Sequence, residues 1–308
     1  MSMRAVRLHG SGGADDIALD DVAIPQLDSG EALVRVHAAA LTRDELEWPV
    51  DRLPAIPSYE VSGLVVDVAP GVIDVVAGDA VYALTPFDRD GAAAEYVAVP
   101  AETLGRKPSA LSAVESAALP MPGLTAWQGL FDHGRLEAGE RVLILGAAGG
   151  VGQLATQLAH ERGAYVIGTA SGAGIKRARE LGADEAIVAS APFEKTLVPV
   201  DLVFDTVGGE VLSRSAAALR DGGRLVSVAE EPPEHRGLEI STTYFVVEPS
   251  REELEQLTRV ADAGKLRVDI DAVFSLDAAR AAFERVQARG KRGKVVLEID
   301  GDASRRSR

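Results

Sequence analysis

The pattern of hydrophobic and polar residues changes along the chain and divides it into regions. From residue 1 to about 120, short stretches such as 32–38 (ALVRVHA) alternate between apolar and polar positions, and prolines and glycines separate them. Alternation with a period of two is typical of half-buried strands. We therefore predict a β-rich first region that forms a partly open barrel.

Strands and helices alternate from about residue 124 to 262. Residues 142–145 form a continuous apolar run, which is typical of a parallel strand buried on both faces, and apolar residues from Val151 to Ala159 fall at helical spacing. Further apolar runs occupy 164–169, 201–206 and 224–228. This alternation predicts an α/β fold with a doubly wound parallel sheet.

A glycine-rich turn at residues 146–152 (GAAGGVG) separates the first of these strands from its helix. Backbone N–H groups and the positive end of a helix dipole converge at such a turn, which suits a pyrophosphate. The glycine positions of the dinucleotide-binding fingerprint fall on Ala147, Gly149 and Gly152, so the first is alanine. The alternative is a tight turn that binds nothing.

Ligands of a doubly wound sheet bind outside the carboxyl ends of its strands. Four stretches that follow predicted strands should therefore line one crevice, namely 146–151, 169–171, 206–209 and 227–229.

The second strand of this region ends without the acidic residue that would bind the ribose hydroxyls of NAD. No Asp or Glu lies between Glu161 and Glu180, whereas the stretch offers the hydroxyl of Ser171 and three cations, Lys176, Arg177 and Arg179. Because a carboxylate would repel a 2′-phosphate, the sequence favours NADPH. Alternatively, the three cations form a solvated helix face.

Composition restricts the partners and the location. The 308 residues carry a net charge of -15, which argues against nucleic acid or an anionic membrane as a partner. The length favours two domains, and 46% hydrophobic residues suffice for a sizeable core. Cysteine is absent, so disulfides and thiolate metal ligands are excluded, and we expect a cytoplasmic location.

Seven short motifs occur in order along the chain: MRAV at 3–6, GLTAW at 123–127, AAGGVG at 147–152, LGAD at 181–184, DTVGG at 205–209, FVVEP at 245–249 and RGK at 292–294. On these motifs the chain resembles the zinc-independent medium-chain dehydrogenase/reductases, specifically the NADPH-dependent quinone oxidoreductase-like proteins. The resemblance implies a GroES-like domain formed by residues 1–124 and 263–308. It implies a Rossmann NADPH-binding domain at 125–262.

The resemblance also implies roles for individual residues. Gly149, Gly150 and Val151 would lie under the pyrophosphate, in a turn that also contains Gly146, Ala148 and Gly152. Ser171, Lys176 and Lys294 would lie near the 2′-phosphate, and Val207, Ser227, Phe245 and Val247 along the nicotinamide and its ribose, with Thr125 near the nicotinamide itself. A homodimer formed by sheet extension at residues 238–247 is a further implication.

Zinc-dependent relatives hold metals with cysteine and histidine, whereas this chain has no cysteine and five scattered histidines, His9, His37, His133, His160 and His235. We therefore predict no metal site, and we interpret His37, in the alternating stretch 32–38, as structural. Without a Lewis acid an alkoxide loses its usual stabilisation. Acceptors that are already activated, such as quinones and C=C bonds conjugated to a carbonyl, are then favoured.

The acceptor should contact the segment 41–60. Thr42 stands where many relatives have Asn, and Asp44 matches an Asp that follows in them. Thr42 keeps a hydrogen-bonding group and is a candidate catalytic residue. Tyr59 is a candidate donor to a developing enolate or hydroquinone oxygen, with packing at a strand edge as the alternative. Trp48 either lines the acceptor pocket or fills the barrel.

We thus expect an NADPH-dependent, metal-independent oxidoreductase that transfers a hydride to a quinone or an α,β-unsaturated carbonyl. One alternative is a pathway-specific enoyl or ketone reductase of a biosynthetic route. Another is a low-turnover NADPH-binding protein with a structural or regulatory role.

Overall fold

A computed structural model describes residues 1–10, 13–48, 52–234, 239–288 and 292–299. The chain forms two compact units. The first comprises Met1–Met121, Glu248–Gly264 and Val268–Arg308, and the second comprises Pro122–Val247 and Lys265–Arg267. The chain therefore leaves the first unit after Met121 and returns to it at Glu248.

Strands predominate in the first part of the chain and alternate with helices in the second. The strands are β1 (Ser2–Leu8), β2 (Ile17–Ala23), β3 (Glu31–Leu41), β4 (Glu60–Val68), β5 (Ala80–Leu84), β6 (Tyr96–Pro100), β7 (Gly105–Arg106), β8 (Arg141–Leu145), β9 (Tyr165–Ala170), β10 (Glu185–Val188), β11 (Val200–Asp205), β12 (Leu219–Ser227), β13 (Ser241–Tyr244), β14 (Ile270–Ser275) and β15 (Lys294–Glu298). The helices are α1 (Ala113–Ala117), α2 (Pro120–Trp127), α3 (Gly150–Glu161), α4 (Gly174–Glu180), α5 (Gly209–Ser215), α6 (Arg251–Asp262) and α7 (Ala279–Gln287).

The long strand β3 organises the first unit. It pairs antiparallel with β4 along one edge and with β6 and β15 along the other, within a seven-stranded sheet. Val34 and Val36 are fully buried, whereas Arg35 and His37, which alternate with them, are half-buried. The alternation in the sequence therefore corresponds to a strand with one core-facing side, and the predicted β-rich first region is confirmed.

His37 lies on the less buried side of β3. Burial, and the neighbouring charge of Arg35, lower the pKa of its imidazole. A lowered pKa favours the neutral ring at neutral pH, which is consistent with a structural histidine.

The second unit contains a six-stranded sheet in the order β10-β9-β8-β11-β12-β13, and all of its pairings are parallel. Leu143, Ile167, Val203 and Leu225 from the four central strands are fully buried in one core. The predicted doubly wound sheet is thus confirmed. The four stretches expected to line a crevice, 146–151, 169–171, 206–209 and 227–229, lie at the carboxyl ends of β8, β9, β11 and β12, respectively. These four strands are neighbours in the sheet.

Helix α6 belongs to the first unit, whereas the sequence placed residues up to 262 with the dinucleotide-binding domain. Its apolar face, Leu254, Leu257 and Ala261, is buried. The fully buried Tyr82 of β5 donates its hydroxyl proton to the Leu254 carbonyl at 2.6 Å. A short-range pattern of strands and helices cannot show which core an amphipathic helix joins.

Strand β13 is the edge strand of the six-stranded sheet, and its Tyr244 is exposed. It contains part of the stretch 238–247 that the resemblance implied for dimerisation, and Leu238 itself lies outside the described residues. Homodimer formation stays a prediction.

We expect Tyr82→Phe to destabilise the protein by about 1–3 kcal/mol, because the Leu254 carbonyl would lose its buried donor. Chemical denaturation should show this as a lower midpoint. Tyr165→Phe is the control, since its hydroxyl donates to Glu185 at the surface. An equal loss of stability in Tyr82→Phe and Tyr165→Phe would contradict the role given to the Tyr82–Leu254 hydrogen bond.

Candidate functional site

Strand register brings three polar residues together at one end of the first unit's sheet. Ala40 of β3 pairs with Glu60, the first residue of β4, and Leu41 pairs with Val295, which follows Lys294, the first residue of β15. Thr42 comes directly after β3. Because β4 and β15 both run antiparallel to β3, their first residues lie beside its last.

The Lys294 ammonium forms an ion pair with Glu60 Oε2. Thr42 Oγ1 accepts a hydrogen bond from Lys294 Nζ at 3.3 Å. The Thr42 hydroxyl can donate its own hydrogen bond either to Glu60 Oε2 at 3.4 Å or to Met121 Sδ at 3.3 Å. Backbone N–H of Met121 donates to Glu60 Oε1 at 3.1 Å. Each oxygen of the fully buried Glu60 therefore has a partner.

A second carboxyl group, that of Glu45, lies against this pair. It is 4% exposed, and its Oε2 accepts from the Thr42 backbone N–H at 3.1 Å. Its Oε1 is buried and has no hydrogen-bond partner among the described residues. We call Thr42, Glu45, Glu60 and Lys294 the Thr42 cluster.

Burial raises the pKa of Glu45 to about 8, although the Thr42 N–H and the Lys294 charge oppose the shift. Burial also raises the pKa of Glu60, against the opposing effect of its ion pair with Lys294. A buried carboxylate without full hydrogen bonding is costly, so Glu45 takes up a proton near neutral pH.

Two adjacent acidic residues, Asp44 and Glu45, follow Thr42 and differ in burial. Asp44, matched to an Asp of the relatives, has a side chain that is 67% exposed, whereas Glu45 is buried beside Thr42. The available signal was the spacing of Thr42 and Glu45, three residues apart, which allows a carboxylate to accept from the N–H at the start of a turn. Sequence reasoning also missed Glu60 and Met121 as partners of Thr42.

Tyr59 belongs to an aromatic trio with Trp48 and Phe87. Its ring stacks on Trp48 at 5.7 Å between centroids, and Phe87 meets both rings edge-on at 5.3 Å. Tyr59 is buried, whereas Trp48 and Phe87 are half-buried. Burial, together with the neighbouring Glu45, raises the pKa of the phenol, so it stays protonated well above neutral pH.

In the second unit, the glycine-rich turn joins β8 to α3 as the sequence predicts. Gly146 has φ +81°, a conformation that side chains rarely adopt, and its N–H donates to Thr169 Oγ1 at 3.2 Å. A Cβ on Gly152 would lie 2.1 Å from the Gly146 carbonyl oxygen. Both glycines are therefore required by the close packing of strand, turn and helix.

This turn fits a dinucleotide phosphate. Helix α3 has Gly149 as its N-cap without a side-chain cap, so the N–H groups of its first turn have no side-chain acceptor. Gly149 and Gly150 are exposed, and a Cβ on Gly150 would meet no atom within 4 Å. Open space in front of uncapped N–H groups is what an anion at a helix N-terminus requires.

The loops after β11 and β12 are held by one carboxylate. Asp205 is fully buried and accepts from the N–H groups of Val207 and Gly208 at 3.1 Å. It also accepts from Ser227 Oγ at 2.7 Å, and Ser227 Oγ accepts in turn from the Ala229 N–H at 3.1 Å. Val207 is 53% exposed. It follows β11, which pairs with β8, the strand that precedes the glycine-rich turn.

The remaining predicted cofactor residues differ in exposure. Within the second unit, Thr125 and Phe245 are buried, Ala148, Val151 and Val247 are half-buried, and Ser171 is exposed. Phe245 lies against the His133 ring at 4.4 Å between centroids. Lys176 is 88% exposed and forms an ion pair with Glu180 on α4 at 3.6 Å.

Lys294 occupies a different environment from Lys176. Its side chain is 10% exposed and is paired with Glu60 inside the first unit. A contact with a 2′-phosphate would require the ammonium to leave a buried carboxylate. We therefore give Lys294 a different role below.

Two sequence families match separate parts of the chain. Residues 28–109 match the alcohol dehydrogenase GroES-like domain, and residues 181–297 match the zinc-binding dehydrogenase family. A probable zinc-binding oxidoreductase, mitochondrial, of Arthroderma benhamiae is 33% identical over 89% of this chain and 90% of that protein. An NADPH-dependent alkenal/one oxidoreductase, chloroplastic, of Arabidopsis thaliana is 33% identical over 93% of this chain and 77% of that protein.

The structure of the quinone oxidoreductase from Coxiella burnetii superposes with a TM-score of 0.87 at 31% identity, over 97% of this chain and 100% of that chain. The chain belongs to the medium-chain dehydrogenase/reductase family. Members of this family are oxidoreductases that bind a nicotinamide cofactor.

Metal binding is not decided by membership of the medium-chain dehydrogenase/reductase family. Within the described ranges, no group of three or more His, Asp or Glu side chains is placed to hold a metal ion. His235 lies outside those ranges. Metal independence stays a prediction.

The cytoplasmic location also stays a prediction. Among the helices of the described residues, none is long and apolar enough to cross a membrane.

We expect Gly152→Ala to destabilise the second unit by about 1–3 kcal/mol, because its Cβ would overlap the Gly146 carbonyl oxygen. Thermal unfolding of the protein without cofactor measures this effect. Gly150→Ala is the matched control, since its Cβ meets open space and should leave the midpoint unchanged. Equal midpoints for both variants would contradict the packing described for the turn.

Proposed function

We propose that this protein is an NADPH-dependent, metal-independent reductase that transfers a hydride to a quinone or an α,β-unsaturated carbonyl. The observation that carries the proposal is the end of β9, where no acidic residue follows and the cationic helix α4 begins. β9 is the sheet neighbour of β8, whose turn has uncapped N–H groups. A 2′-phosphate and a pyrophosphate therefore find complementary groups on adjacent strands.

Bound NADPH would supply a hydride from its nicotinamide C4. Gly146, Ala148, Gly149, Gly150, Val151 and Gly152 hold the pyrophosphate in this proposal, with Ser171 and Lys176 at the 2′-phosphate and Thr125, Val207, Ser227, Phe245 and Val247 toward the nicotinamide. The Asp205 network supports this arrangement because its carboxylate accepts hydrogen bonds from the Val207 and Gly208 N–H groups and from Ser227 Oγ, which restrict the Val207 loop. A loop ordered in advance loses less entropy on binding.

The aromatic trio supports a planar, conjugated acceptor. Trp48 and Phe87 are half-buried aromatic rings that contact each other and the phenol ring of Tyr59. Ring faces suit the flat π-system of a quinone or an enone, and a phenol or a Thr42 hydroxyl can donate to its oxygen. The names of the alkenal/one and quinone oxidoreductases that resemble this chain point to the same acceptor class.

We expect Lys176→Glu to raise the NADPH dissociation constant about tenfold or more and to leave that of NADH nearly unchanged, since only NADPH carries the 2′-phosphate. Fluorescence titration with both cofactors measures the two constants. Lys195→Glu makes the same charge change at another exposed lysine of the second unit and should alter neither. Equal effects of Lys176→Glu on both cofactors would refute the assignment.

Purified protein should oxidise NADPH in the presence of 1,4-benzoquinone or a short enone and not in the presence of a simple ketone, because the ketone needs more electrophilic activation. An enoyl thioester completes the panel. Preference for the thioester would indicate the pathway-specific alternative. Turnover of the ketone alone would contradict the proposal, and tight NADPH binding without any turnover would favour a regulatory protein.

A further inference from the structure

The Thr42 cluster contains more ionisable groups than an ion pair needs for stability. Its members come from three separate segments, at the end of β3, the start of β4 and the start of β15. Glu45, Glu60 and Lys294 are buried, and Thr42 alone among the four is half-buried. Thr42 is thus the least buried member of the cluster, and its Oγ1 lies 3.3 Å from the nitrogen of the buried Lys294 ammonium.

We propose that Thr42 Oγ1 and Lys294 Nζ form a proton relay that delivers the proton completing the reduction, with Glu45 as the positioning residue that keeps the relay free of excess negative charge. This inference rests on the proposed function and adds the source of the proton to it. Thr42 is a catalytic residue in this relay, whereas Glu45 acts through Lys294 and Glu60.

The relay moves one proton from solvent to the product in each turnover. Addition of a hydride to the β-carbon of an enone leaves an enolate, whose α-carbon forms a C–H bond as the Thr42 O–H bond breaks. Lys294 replaces that proton through the existing hydrogen bond, so the threonine oxygen does not remain as an alkoxide. The resulting amine regains its proton from water through Thr42 after the product leaves.

Charge explains why a second acid is needed. When Lys294 gives up its proton, Glu60 remains as an anion without its cation, and a second anion at Glu45 would face it in a buried site. Two adjacent buried carboxylates are strongly disfavoured. A protonated Glu45 avoids this state and permits the transfer.

The groups that face Glu45 from the packed elements are Lys294 of β15, Glu60 of β4 and the phenol of Tyr59. Of these, only Lys294 favours the ionised form of Glu45. Loss of the Glu45 proton at alkaline pH should therefore slow the relay, and kcat should fall as pH rises through about 8.

The first test uses the protein without cofactor. Because the pKa of Glu45 is higher in the folded than in the unfolded chain, the folded state binds more protons, and stability falls as pH rises from the usual value of 4.5 toward about 8. Glu45→Gln cannot ionise, so its Tm should fall less over this window than that of the wild type. Glu47→Gln, the same change at an exposed residue of the same turn, should follow the wild type. If Tm changed with pH in the same way in the wild type, Glu45→Gln and Glu47→Gln, the role of Glu45 would be overturned.

The second test uses the enone at saturating NADPH. Thr42→Val should lower kcat about tenfold or more with little change in KM, and should increase the solvent deuterium isotope effect on kcat. Thr42→Ser should restore both values toward the wild type. Glu45→Gln should remove the alkaline fall in kcat, which a merely structural residue would not do.

The outcomes separate this inference from the proposed function. Wild-type turnover that is unchanged in Thr42→Val would overturn the relay and leave the reductase assignment intact. Absence of turnover with every acceptor would overturn the proposed function and the relay together, even if the Tm difference of Glu45→Gln were observed.

Discussion

The ion pair between Lys294 and Glu60 joins segments of the first unit that lie 234 residues apart in the sequence. Both groups are buried, so each charge has lost its hydration and depends on the other, on the Thr42 hydroxyl and on the Met121 N–H. Removing one partner of such a pair typically costs about 3–5 kcal/mol. The return of the chain to the first unit therefore supplies both the strand that extends the sheet and the cation of the candidate site.

In the second unit the corresponding constraint is steric. Strand β8, its turn and α3 approach so closely that only glycine fits at Gly152, and Gly146 adopts a conformation that glycine favours. The N-cap residue of α3 is Gly149, which has no side chain to cap the first N–H groups of the helix. The buried Asp205 binds the loops that follow β11 and β12 at the same edge of the sheet.

Local patterns predicted much of this fold. The apolar run before the glycines, the helical spacing after them and the alternation around His37 each depend on residues close in sequence, and each element formed as expected. Local patterns did not reveal features that depend on contacts between distant residues. Asp44 and Glu45 are adjacent acids, and only the way the turn leaves β3 buries the second and exposes the first. Helix α6 likewise joins the first unit through Tyr82, 172 residues away from Leu254.

The sequence by itself determined the parallel sheet and the glycine-rich turn, because backbone conformation and hydrophobic periodicity are local properties. The family followed from the resemblance carried by the seven short motifs. The sequence also singled out Thr42 and Tyr59. Only the tertiary structure decided that Lys294 pairs with Glu60, that the pKa of Glu45 is raised and that Tyr59 packs against the rings of Trp48 and Phe87. Those properties come from burial and from distances between segments far apart in sequence, and the energy of a charge depends on surroundings that no neighbouring residue specifies.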